Sequence, residues 1–212
     1  MSSRKPDPVR AQERDAGIVA GNARTGPSFT LGNRAARLLW NAVWLLLFRP
    51  SPRPLHGFRA LLLRAFGARL GRNCHVYPGV RIWAPWNLKM GDDCGVGDGA
   101  TLYAMAPITL GHRVVVSQGA HLCAGTHDYE SPDFQLYARP ITVEADAWLC
   151  AECFIGPGVR VGQGTVVGAR GVATGDLEQW MVYAGNPCRV VNQRCLRSSE
   201  DGAGTTTSGN LE

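Results

Sequence analysis

Five histidines are the side chains of this 212-residue sequence best suited to acid–base chemistry near neutral pH: His56, His75, His112, His121 and His127. A neutral imidazole can take the proton of a hydroxyl group as the oxygen attacks an electrophile. His127 differs from the others because a fifteen-residue segment, 128–142, that breaks the surrounding pattern begins directly after it. Spacing alone leaves the other four histidines as competitors, so at this point His127 is one candidate general base among five.

Cys150 and Cys153 form a CxxC pair, a spacing that can bind metal or cycle redox. No second pair follows to complete a four-ligand zinc site, and the repeat described below explains Cys153 without a ligand. The seven cysteines accompany no cleavable secretory signal, which favours free thiols in a cytoplasmic setting. We therefore expect structural cysteines, no disulfide framework and no bound metal.

A six-residue repeat runs from Leu70 to Val172 and surrounds His127. Each of its fourteen hexads begins with an aliphatic residue: Leu70, Val76, Ile82, Met90, Val96, Leu102, Leu110, Val116, Leu122, Val143, Leu149, Ile155, Val161 and Val167. Glycine occupies the second position in seven hexads, where a tight corner favours a residue without Cβ. The fifth position is small in every hexad but the third, which has Trp86.

A period of six fits neither the 3.6 residues of a helical turn nor the simple alternation of a strand. It fits a strand and a corner repeated three times per turn of a triangular prism, with the aliphatic residues stacked inside. Two insertions, Leu88-Lys89 and Ile108-Thr109, make two coils twenty residues long and should bulge one corner. The sequence therefore predicts an all-β fold, a single-stranded parallel β-helix.

Several motifs resemble the hexapeptide-repeat acyltransferases. They are Ser117-Gln-Gly-Ala-His-Leu-Cys, Gly125-Thr-His-Asp-Tyr, Ser131-Pro-Asp-Phe, Ile155-Gly-Pro-Gly-Val and Ala184-Gly-Asn-Pro-Cys-Arg. The likeness is close to the colanic acid and exopolysaccharide biosynthesis O-acetyltransferases, and more distant to galactoside and maltose acetyltransferases. It runs from about Arg34 to Val191 and includes the basic segment Phe48-Arg-Pro-Ser-Pro-Arg-Pro-Leu-His-Gly, which favours the exopolysaccharide branch.

The resemblance implies left-handed coils, against the usual right-handed rule for parallel crossovers. It also implies that His127 is the general base in a direct transfer of an acetyl group from acetyl-CoA to a sugar hydroxyl, without an acyl-enzyme. Members of the family bind coenzyme A in the groove between neighbouring prisms of a homotrimer. We therefore expect acetyl-CoA as co-substrate, a homotrimer, and a sugar or lipid-linked oligosaccharide as acceptor.

Five positions match cofactor-binding positions of the family. Ala151 falls beside the pantetheine arm, Ala169, Thr174 and Gly175 fall along the last coils, and Arg189 falls where a cation meets the phosphates. These roles come from the resemblance, because small residues and one arginine have no distinctive chemistry of their own.

Three positions depart from that pattern. Gly175 stands where a lysine is common, and Asn192 stands where galactoside-type members have a second arginine. Arg170 replaces a residue that is usually small, and it would either supply the missing charge or be a solvated corner arginine. Phosphate binding should therefore depend more on Arg189 than in relatives.

Two aspartates are candidates for the acceptor side of the site. Asp98 matches a position that faces the catalytic histidine in relatives, where a polar group binds the sugar. Asp128 follows His127 directly and could orient the imidazole or contact substrate. Adjacent side chains often point apart, so a backbone carbonyl is an equally good partner for the imidazole.

Composition divides the chain into four segments. Residues 1–32 and 192–212 are predicted to be a disordered N-terminal tail and a mobile C-terminal tail. Residues 33–69 form a basic amphipathic helical segment, and residues 70–191 form the β-helix domain with its loop 128–142.

The helical segment is predicted to contain two helices that cover the first coil and protect its open β edge. Asn33 is a candidate cap for a helix that ends at Phe48, before the prolines at positions 50, 52 and 54, and the second helix spans about 57–66. The apolar run 38–48 has eleven residues and a bilayer span needs about twenty, so we expect no membrane crossing.

The net charge of +5 is unevenly distributed, because the sequence from Arg34 to Lys89 contains ten basic residues and no acidic one. Basic and amphipathic character favours contact of residues 33–69 with an anionic membrane surface over nucleic acid, for which no motif is present. A solvated basic face on ordinary packing helices explains the same pattern. We expect a cytoplasmic protein. If the basic helices contact a membrane, the protein is peripheral at its inner face.

Two rival functions remain open. A γ-carbonic-anhydrase-like zinc enzyme uses the same kind of prism and holds zinc with three histidines contributed across a subunit interface. Its ligands here would be His75, His121 and His127, although their spacing differs from that family's closer pair. A non-catalytic β-helical scaffold at a membrane would use the basic helices as its anchor, but it gives no reason for a long loop preceded by a histidine.

Overall fold

The computed structural model describes residues 26–196. The predicted tails, 1–32 and 192–212, therefore lie mostly outside the described residues. Within the described part, residues 31 and 32 already belong to a helix, and residues 192 and 193 belong to a strand. The regular elements thus extend a little farther at both ends than composition predicted, because capping and strand pairing recruit residues that are polar or unpatterned in sequence.

Three sheets form the faces of a triangular prism. The strands are numbered in chain order. The first sheet contains β1 (Arg69–Leu70), β4 (Leu88–Met90), β7 (Ile108–Leu110), β12 (Ile141–Val143) and β15 (Arg160–Val161). The second contains β2 (His75–Val76), β5 (Gly95–Val96), β8 (Val115–Val116), β13 (Trp148–Leu149), β16 (Val166–Val167), β18 (Met181–Ala184) and β19 (Arg189–Gln193). The third contains β3 (Arg81–Ile82), β6 (Thr101–Tyr103), β9 (His121–Cys123), β14 (Phe154–Ile155) and β17 (Val172–Ala173).

The first residue of each predicted hexad packs inside the prism. Five of them are paired in register along the second sheet: Val76, Val96, Val116, Leu149 and Val167. Of the fourteen first positions, thirteen are buried and Leu70, in the first coil, is partly exposed. Each coil therefore hides its apolar surface against its neighbours, which is how a solenoid is stabilised.

The two-residue insertions lengthen strands of the first sheet. Leu88 pairs with Ile108, and Ile108 pairs with Ile141, so three successive strands of that sheet gain one more buried position. The corner before β4 contains a 3-10 turn, Pro85–Asn87. The Asn87 side chain donates hydrogen bonds at 3.0 and 3.1 Å to two carbonyl oxygens of the next coil. The inserted residues are thus absorbed by strand and corner together.

The excursion after His127 is an antiparallel hairpin of β10 (Gly125–His127) and β11 (Leu136–Ala138). The chain rejoins the first sheet at Ile141, whose amide donates to the carbonyl of Pro107 at 3.0 Å. The predicted loop, 128–142, is therefore too long at its C-terminal end. Ile141 is as deeply buried as the hexad residue Val143, and it extends the repeat backwards by two residues.

The prism also continues past the predicted last hexad. Ala173 pairs with Ile155 in the third sheet, Leu177 bridges to Val161, and Tyr183 pairs with Val167. This last coil has irregular spacing and a tyrosine in place of an aliphatic residue, so the six-residue period does not detect it. The hairpin of β18 and β19 then closes the end, with a cis peptide between Asn186 and Pro187 in its turn.

Two helices precede the prism. The first, α1 (Leu31–Val43), continues as a π-helical turn, Trp44–Phe48, and the second is α2 (His56–Ala65). The predicted cap at Asn33 is wrong, because Thr30 is the N-cap and its Oγ1 accepts from the Asn33 amide at 3.3 Å. The side chain of Asn33 instead accepts from Arg37 Nε at 2.9 Å, one turn later.

The helices cover the open edge of the first coil, which has a neighbouring coil on one side only. The amides of His75 and Arg81 donate to the second coil, to carbonyl oxygens at 2.8 and 2.9 Å. The backbone groups of the alternate residues point away from the second coil. Without the helices, the carbonyl groups of these residues would have no hydrogen-bond donor. One helical side chain serves each sheet: Trp40 Nε1 donates to Ile82 O at 2.6 Å, Arg59 Nε to Val76 O at 2.6 Å, and Arg64 Nη2 to Leu70 O at 3.2 Å.

Aromatic residues, not leucines, form the side of α1 that faces the prism. Trp40 and Phe48 are buried, and Trp44 Nε1 donates to Val80 O at 2.8 Å. Indole rings suit this position because one side chain supplies both a large apolar surface and a hydrogen-bond donor. We refer to α1, the π-helical turn and α2 together as the helical cap.

We predict that Trp40→Phe lowers the free energy of unfolding by about 1–3 kcal/mol, because it leaves the buried carbonyl of Ile82 without a donor. Trp44→Phe is the matched control. Trp44 is partly exposed, so water can replace its hydrogen bond to Val80 and the loss should be below about 1 kcal/mol. Chemical denaturation followed by circular dichroism measures both values, and equal losses would contradict the assignment of Trp40 as an edge donor.

Candidate active site

His127 is the last residue of β10, in the hairpin that leaves the prism between the third and first sheets. Its half-buried ring stacks on Phe134, with ring centroids 4.4 Å apart and planes 13° apart. Its Nδ1 lies 2.9 Å from the backbone oxygen of Phe134. A carbonyl oxygen only accepts, so Nδ1 carries the hydrogen and Nε2 of the neutral ring keeps its lone pair. The hairpin therefore holds His127 in the tautomer that a general base needs.

The loop at the tip of the hairpin positions the Phe134 carbonyl. Asp128 Oδ1 accepts hydrogen bonds from the amides of Glu130 and Ser131, at 3.1 and 3.3 Å. The amide of Phe134 donates to the Ser131 carbonyl at 2.9 Å, and Phe134 has a φ of 50°. Of the two imidazole partners considered from sequence, the structure has the backbone carbonyl, while Asp128 shapes the loop that presents it.

Gly125 sets the point at which the hairpin departs. A Cβ at this buried position would overlap Sδ of Met105, which is itself fully buried. The amide of Ala124 donates to the carbonyl of Tyr103 at 3.1 Å, and the amide of Arg139 donates to the carbonyl of Ala124 at 2.9 Å. The first bond anchors the base of the hairpin to the preceding coil and the second joins its two ends, and the close approach to Met105 requires glycine.

Asp98 lies at a different corner, between the second and third sheets. Its Oδ1 accepts from the Gly79 amide at 2.7 Å, and its Oδ2 lies 3.7 Å from the guanidinium of Arg53 in the segment between the helices. These contacts join the second coil to the first coil and to the segment between the two helices. Within one chain, then, Asp98 and His127 lie at different corners of the prism, and the contacts of Asp98 are not with His127.

The predicted cofactor positions form two groups. Ala151 and Ala169 follow strands of the second sheet on successive coils, and the amide of Arg170 donates to the Ala151 carbonyl at 2.9 Å. Thr174 and Gly175 follow β17 of the third sheet, at the corner that His127 also leaves. The two groups therefore lie along the two edges of the third face of the prism.

Arg189 and the departures from the family pattern lie at the C-terminal end. Arg189 begins β19 opposite Ala184, is exposed, and its Nη1 donates to the Cys188 carbonyl at 2.9 Å. Arg170 pairs with Glu152 at 2.6 Å, so its charge is partly compensated at an exposed corner. A Cβ on Gly175 would meet nothing within 4 Å, so the missing lysine is not a steric requirement of the fold.

The cysteines of the CxxC pair are poor candidates for chemistry. Burial raises the pKa of the Cys153 thiol to about 12 and raises the pKa of Cys150 as well. A thiol that stays protonated is a weak nucleophile and a weak metal ligand. Within residues 26–196, no group of three or more His, Cys, Asp and Glu residues could hold a metal ion.

The three histidines considered as zinc ligands have separate positions. His75 lies on the second sheet and stacks on His56, with ring centroids 4.6 Å apart, whereas His121 lies on the third sheet against Phe154. Burial lowers the pKa of His121, whose Nε2 has no hydrogen-bond partner. His127 alone stands in the hairpin, so one chain does not bring the three rings together.

Sequence reasoning missed two groups of this site. The Phe134 carbonyl that fixes the imidazole is a backbone atom, and the sequence showed Phe134 only as part of a loop motif. The contact between Gly125 and Met105 joins two different coils, so no local spacing reveals it.

Comparison with known proteins gives relatives over most of the chain, although no protein-family model matches it. The chain is 43% identical over 166 residues to "Putative colanic acid biosynthesis acetyltransferase WcaF" of Escherichia coli strain K12, across 78% of this chain and 91% of that protein. It is 28% identical over 138 residues to galactoside O-acetyltransferase of the same strain, across 64% of this chain and 68% of that protein.

A solved structure of galactoside acetyltransferase in complex with coenzyme A has a TM-score of 0.74 to this chain. The match covers 97% of this chain and 99% of that one, at 23% sequence identity. This likeness confirms the predicted fold: an all-β, single-stranded left-handed parallel β-helix of hexapeptide repeats with a short N-terminal helical segment.

We predict that Gly125→Ala lowers the free energy of unfolding by about 1–3 kcal/mol, because the new methyl group has no room beside Met105. Met105→Ala alone should cost about 2–5 kcal/mol through the cavity that it leaves. In Gly125→Ala/Met105→Ala the methyl group enters that cavity, so the double variant should lose less than the sum of the single losses. Thermal denaturation of the four proteins measures the coupling, and strict additivity would contradict the close approach.

Proposed function

Because the chain belongs to the colanic acid biosynthesis acetyltransferases of the hexapeptide-repeat family, we propose that it acetylates a sugar hydroxyl in exopolysaccharide biosynthesis, with His127 as general base. Membership rests on 43% identity across 91% of the Escherichia coli relative. The chain is an acetyl-CoA-dependent acetyltransferase, and acetyl-CoA is its co-substrate. The acceptor, the role of His127 and the order of steps are the proposed part.

In the proposed reaction, Nε2 of His127 takes the proton of the acceptor hydroxyl as that oxygen forms a bond to the thioester carbonyl carbon. The tetrahedral intermediate collapses, the bond from carbon to sulfur breaks, and the thiolate takes the proton from the imidazolium. The products are the sugar acetate and coenzyme A, and no acyl-enzyme forms. The observation that carries this proposal is the 2.9 Å contact from His127 Nδ1 to the Phe134 carbonyl, which leaves Nε2 as the basic nitrogen.

The proposed coenzyme A site lies in the groove between neighbouring prisms of a homotrimer. Two groups of matched residues, Ala151 with Ala169 and Thr174 with Gly175, occupy different edges of one prism. If a second prism packs alongside, one edge of its third face lies next to the other edge of the first prism's third face. The two groups, one from each prism, then line the same groove. We therefore expect the pantetheine arm to lie along small residues and backbone amides, and Arg189 to meet the phosphates.

The acceptor would enter the same groove. In a side-by-side trimer, Asp98 of one prism is available to the hairpin of the next, and its carboxylate remains 44% exposed although it approaches Arg53. We propose that it accepts a hydrogen bond from a sugar hydroxyl. Asp128 contributes through the loop that fixes the Phe134 carbonyl, and its second oxygen is available to substrate.

The rival functions are less well supported. Family membership favours acetyl transfer over zinc-dependent hydration. A scaffold would not need the tautomer control at His127. An assay of free thiol release from acetyl-CoA with a panel of sugars distinguishes an enzyme from a scaffold. If the panel includes lipid-linked oligosaccharides and nucleotide sugars, the same assay shows which of the two is the acceptor.

No helix among residues 26–196 is both long and apolar enough to cross a bilayer. We propose that the enzyme works in the cytoplasm and contacts the inner face of the membrane through residues 33–69, where a lipid-linked acceptor would be available.

We predict that His127→Ala lowers kcat by about 100- to 10,000-fold, because the hydroxyl loses its base. Coenzyme A affinity and the size of the assembly should stay unchanged, as measured by calorimetry and sedimentation. His112→Ala is the matched control, since His112 is an exposed histidine at another corner, and it should keep the wild-type rate. An unchanged rate in His127→Ala would overturn the proposed mechanism.

We also predict that Gly175→Lys tightens coenzyme A binding by about 2- to 5-fold, because it adds a cation near the expected phosphate site in open space. Gly175→Gln is the control for side-chain length without charge and should leave the dissociation constant unchanged. The gain should shrink at high salt. If lysine and glutamine had the same effect, the phosphates would not lie near this corner.

A further inference from the structure

The outer surface of α1 and the π-helical turn is apolar. Six of its leucines are exposed, and Leu47 is the least exposed of them. The other five recur at helical spacing, and we call them the leucine stripe: Leu31, Leu38, Leu39, Leu45 and Leu46. Leu38 and Leu46 are 73% and 69% exposed. The segment before α2 and α2 itself add Leu55, Phe58 and Leu61, all exposed. Large apolar side chains thus cover the outer side of both helices.

This arrangement reverses the usual amphipathic helix, which buries its leucines and exposes its polar side. Here the inner side of α1 is occupied by Trp40, Trp44 and Phe48, which pack on the prism and supply hydrogen bonds to its edge. The leucine stripe therefore does not contribute to the helical cap's own packing. A contiguous exposed apolar surface of this kind marks an interaction site.

Arginines lie close to the stripe in sequence, and the sequence from Arg34 to Lys89 contains no acidic residue. Two arginines of the helical cap do not face solvent freely. Arg59 of α2 is buried, and Arg37 of α1 stacks on the ring of Trp83. Exposed arginines lie in the helical cap or beside it: Arg34 in α1, Arg49 after the π-helical turn, Arg64 in α2 and Arg69 at the start of β1. Arg53, between the helices, is also exposed, but it approaches Asp98 at 3.7 Å and is not counted with them. Exposed leucines accompanied by arginines, in a segment without acidic residues, are complementary to apolar lipid chains beneath anionic head groups. A protein partner would more often be matched by cations and anions together.

We propose that the leucine stripe and these arginines dock the enzyme on an anionic lipid bilayer, with α1 lying in the plane of the interface. The leucines enter the boundary between head groups and acyl chains, and the guanidinium groups contact phosphates. The aromatic hydrogen bonds to the first coil keep the helices attached to the prism while their outer side is in lipid.

The helical cap lies at one end of the prism, so a trimer would bring three copies of this surface together. This part of the inference rests on the trimer of the proposed function. When prisms pack side by side around a threefold axis, their like ends face the same way. Three leucine stripes then face one plane, and binding of the first raises the effective concentration of the other two. The catalytic groove runs along the prisms and stays open beside the membrane, close to a lipid-linked acceptor.

The test is co-sedimentation of the full chain with vesicles of phosphatidylcholine alone and of phosphatidylcholine with about 30% phosphatidylglycerol. We expect binding to the anionic vesicles, reduced by salt. Leu38→Gln should weaken it about 10-fold and Leu38→Gln/Leu46→Gln about 100-fold. Leu196→Gln changes a similarly exposed leucine, 66% exposed, outside the helical cap and should bind like the wild type.

Two controls separate this proposal from the proposed reaction. His127→Ala should bind anionic vesicles normally while losing turnover, and Leu38→Gln/Leu46→Gln should keep thiol release with a water-soluble sugar acceptor. Leu45→Gln/Leu61→Gln repeats the test should the first double variant lose its circular dichroism spectrum. Absence of wild-type binding to anionic vesicles, or equal loss in Leu196→Gln, overturns the proposal. A smaller assembly in the leucine variants would overturn it in favour of a contact between copies of the chain.

Discussion

The structure depends on backbone hydrogen bonds that run from coil to coil along the prism. Each coil is paired above and below, so the ladder is satisfied everywhere except at its ends. At the N-terminal end, carbonyl groups of all three sheets would face water or a foreign strand. Trp40, Arg59 and Arg64 each supply a donor to one sheet, and the helical cap exists where these donors are needed. At the other end, the hairpin of β18 and β19 pairs back on the second sheet.

A regular ladder of backbone hydrogen bonds has no chemistry of its own. The hairpin that contains His127 interrupts it and supplies a group suited to acid–base chemistry. The same kind of interaction, a donor to a backbone carbonyl, is used there for another purpose. At the helical cap, it closes an edge; at His127, it selects which nitrogen of the imidazole carries the hydrogen. The hairpin can leave the prism at this point because Gly125 packs against Met105 without a side chain between them.

The use of Trp and Arg as edge donors also explains the outer side of the helices. Once the inner side of α1 is filled by rings that pack and donate at once, leucines are not required there. Their retention on the outer side, in a segment with ten basic residues and no acidic one from Arg34 to Lys89, connects the stability of the first coil with a surface suited to lipid. One segment of about 35 residues thus serves two environments through two sides of the same helices.

Features that depend on local sequence could be predicted, whereas features that depend on contacts between distant coils could not. The six-residue period determined the prism, its three faces and the aliphatic residues inside, because each hexad repeats the same local conformation and the same burial. It also indicated His127, because an interruption is visible only against a regular background. Only the tertiary structure decided which side of α1 faces the prism, which carbonyl holds the imidazole, and that Asp98 and His127 stand at different corners of one chain. Those outcomes depend on which groups meet across coils, and residues such as Trp40 and Ile82, 42 positions apart in sequence, become neighbours only when the chain has wound around its core.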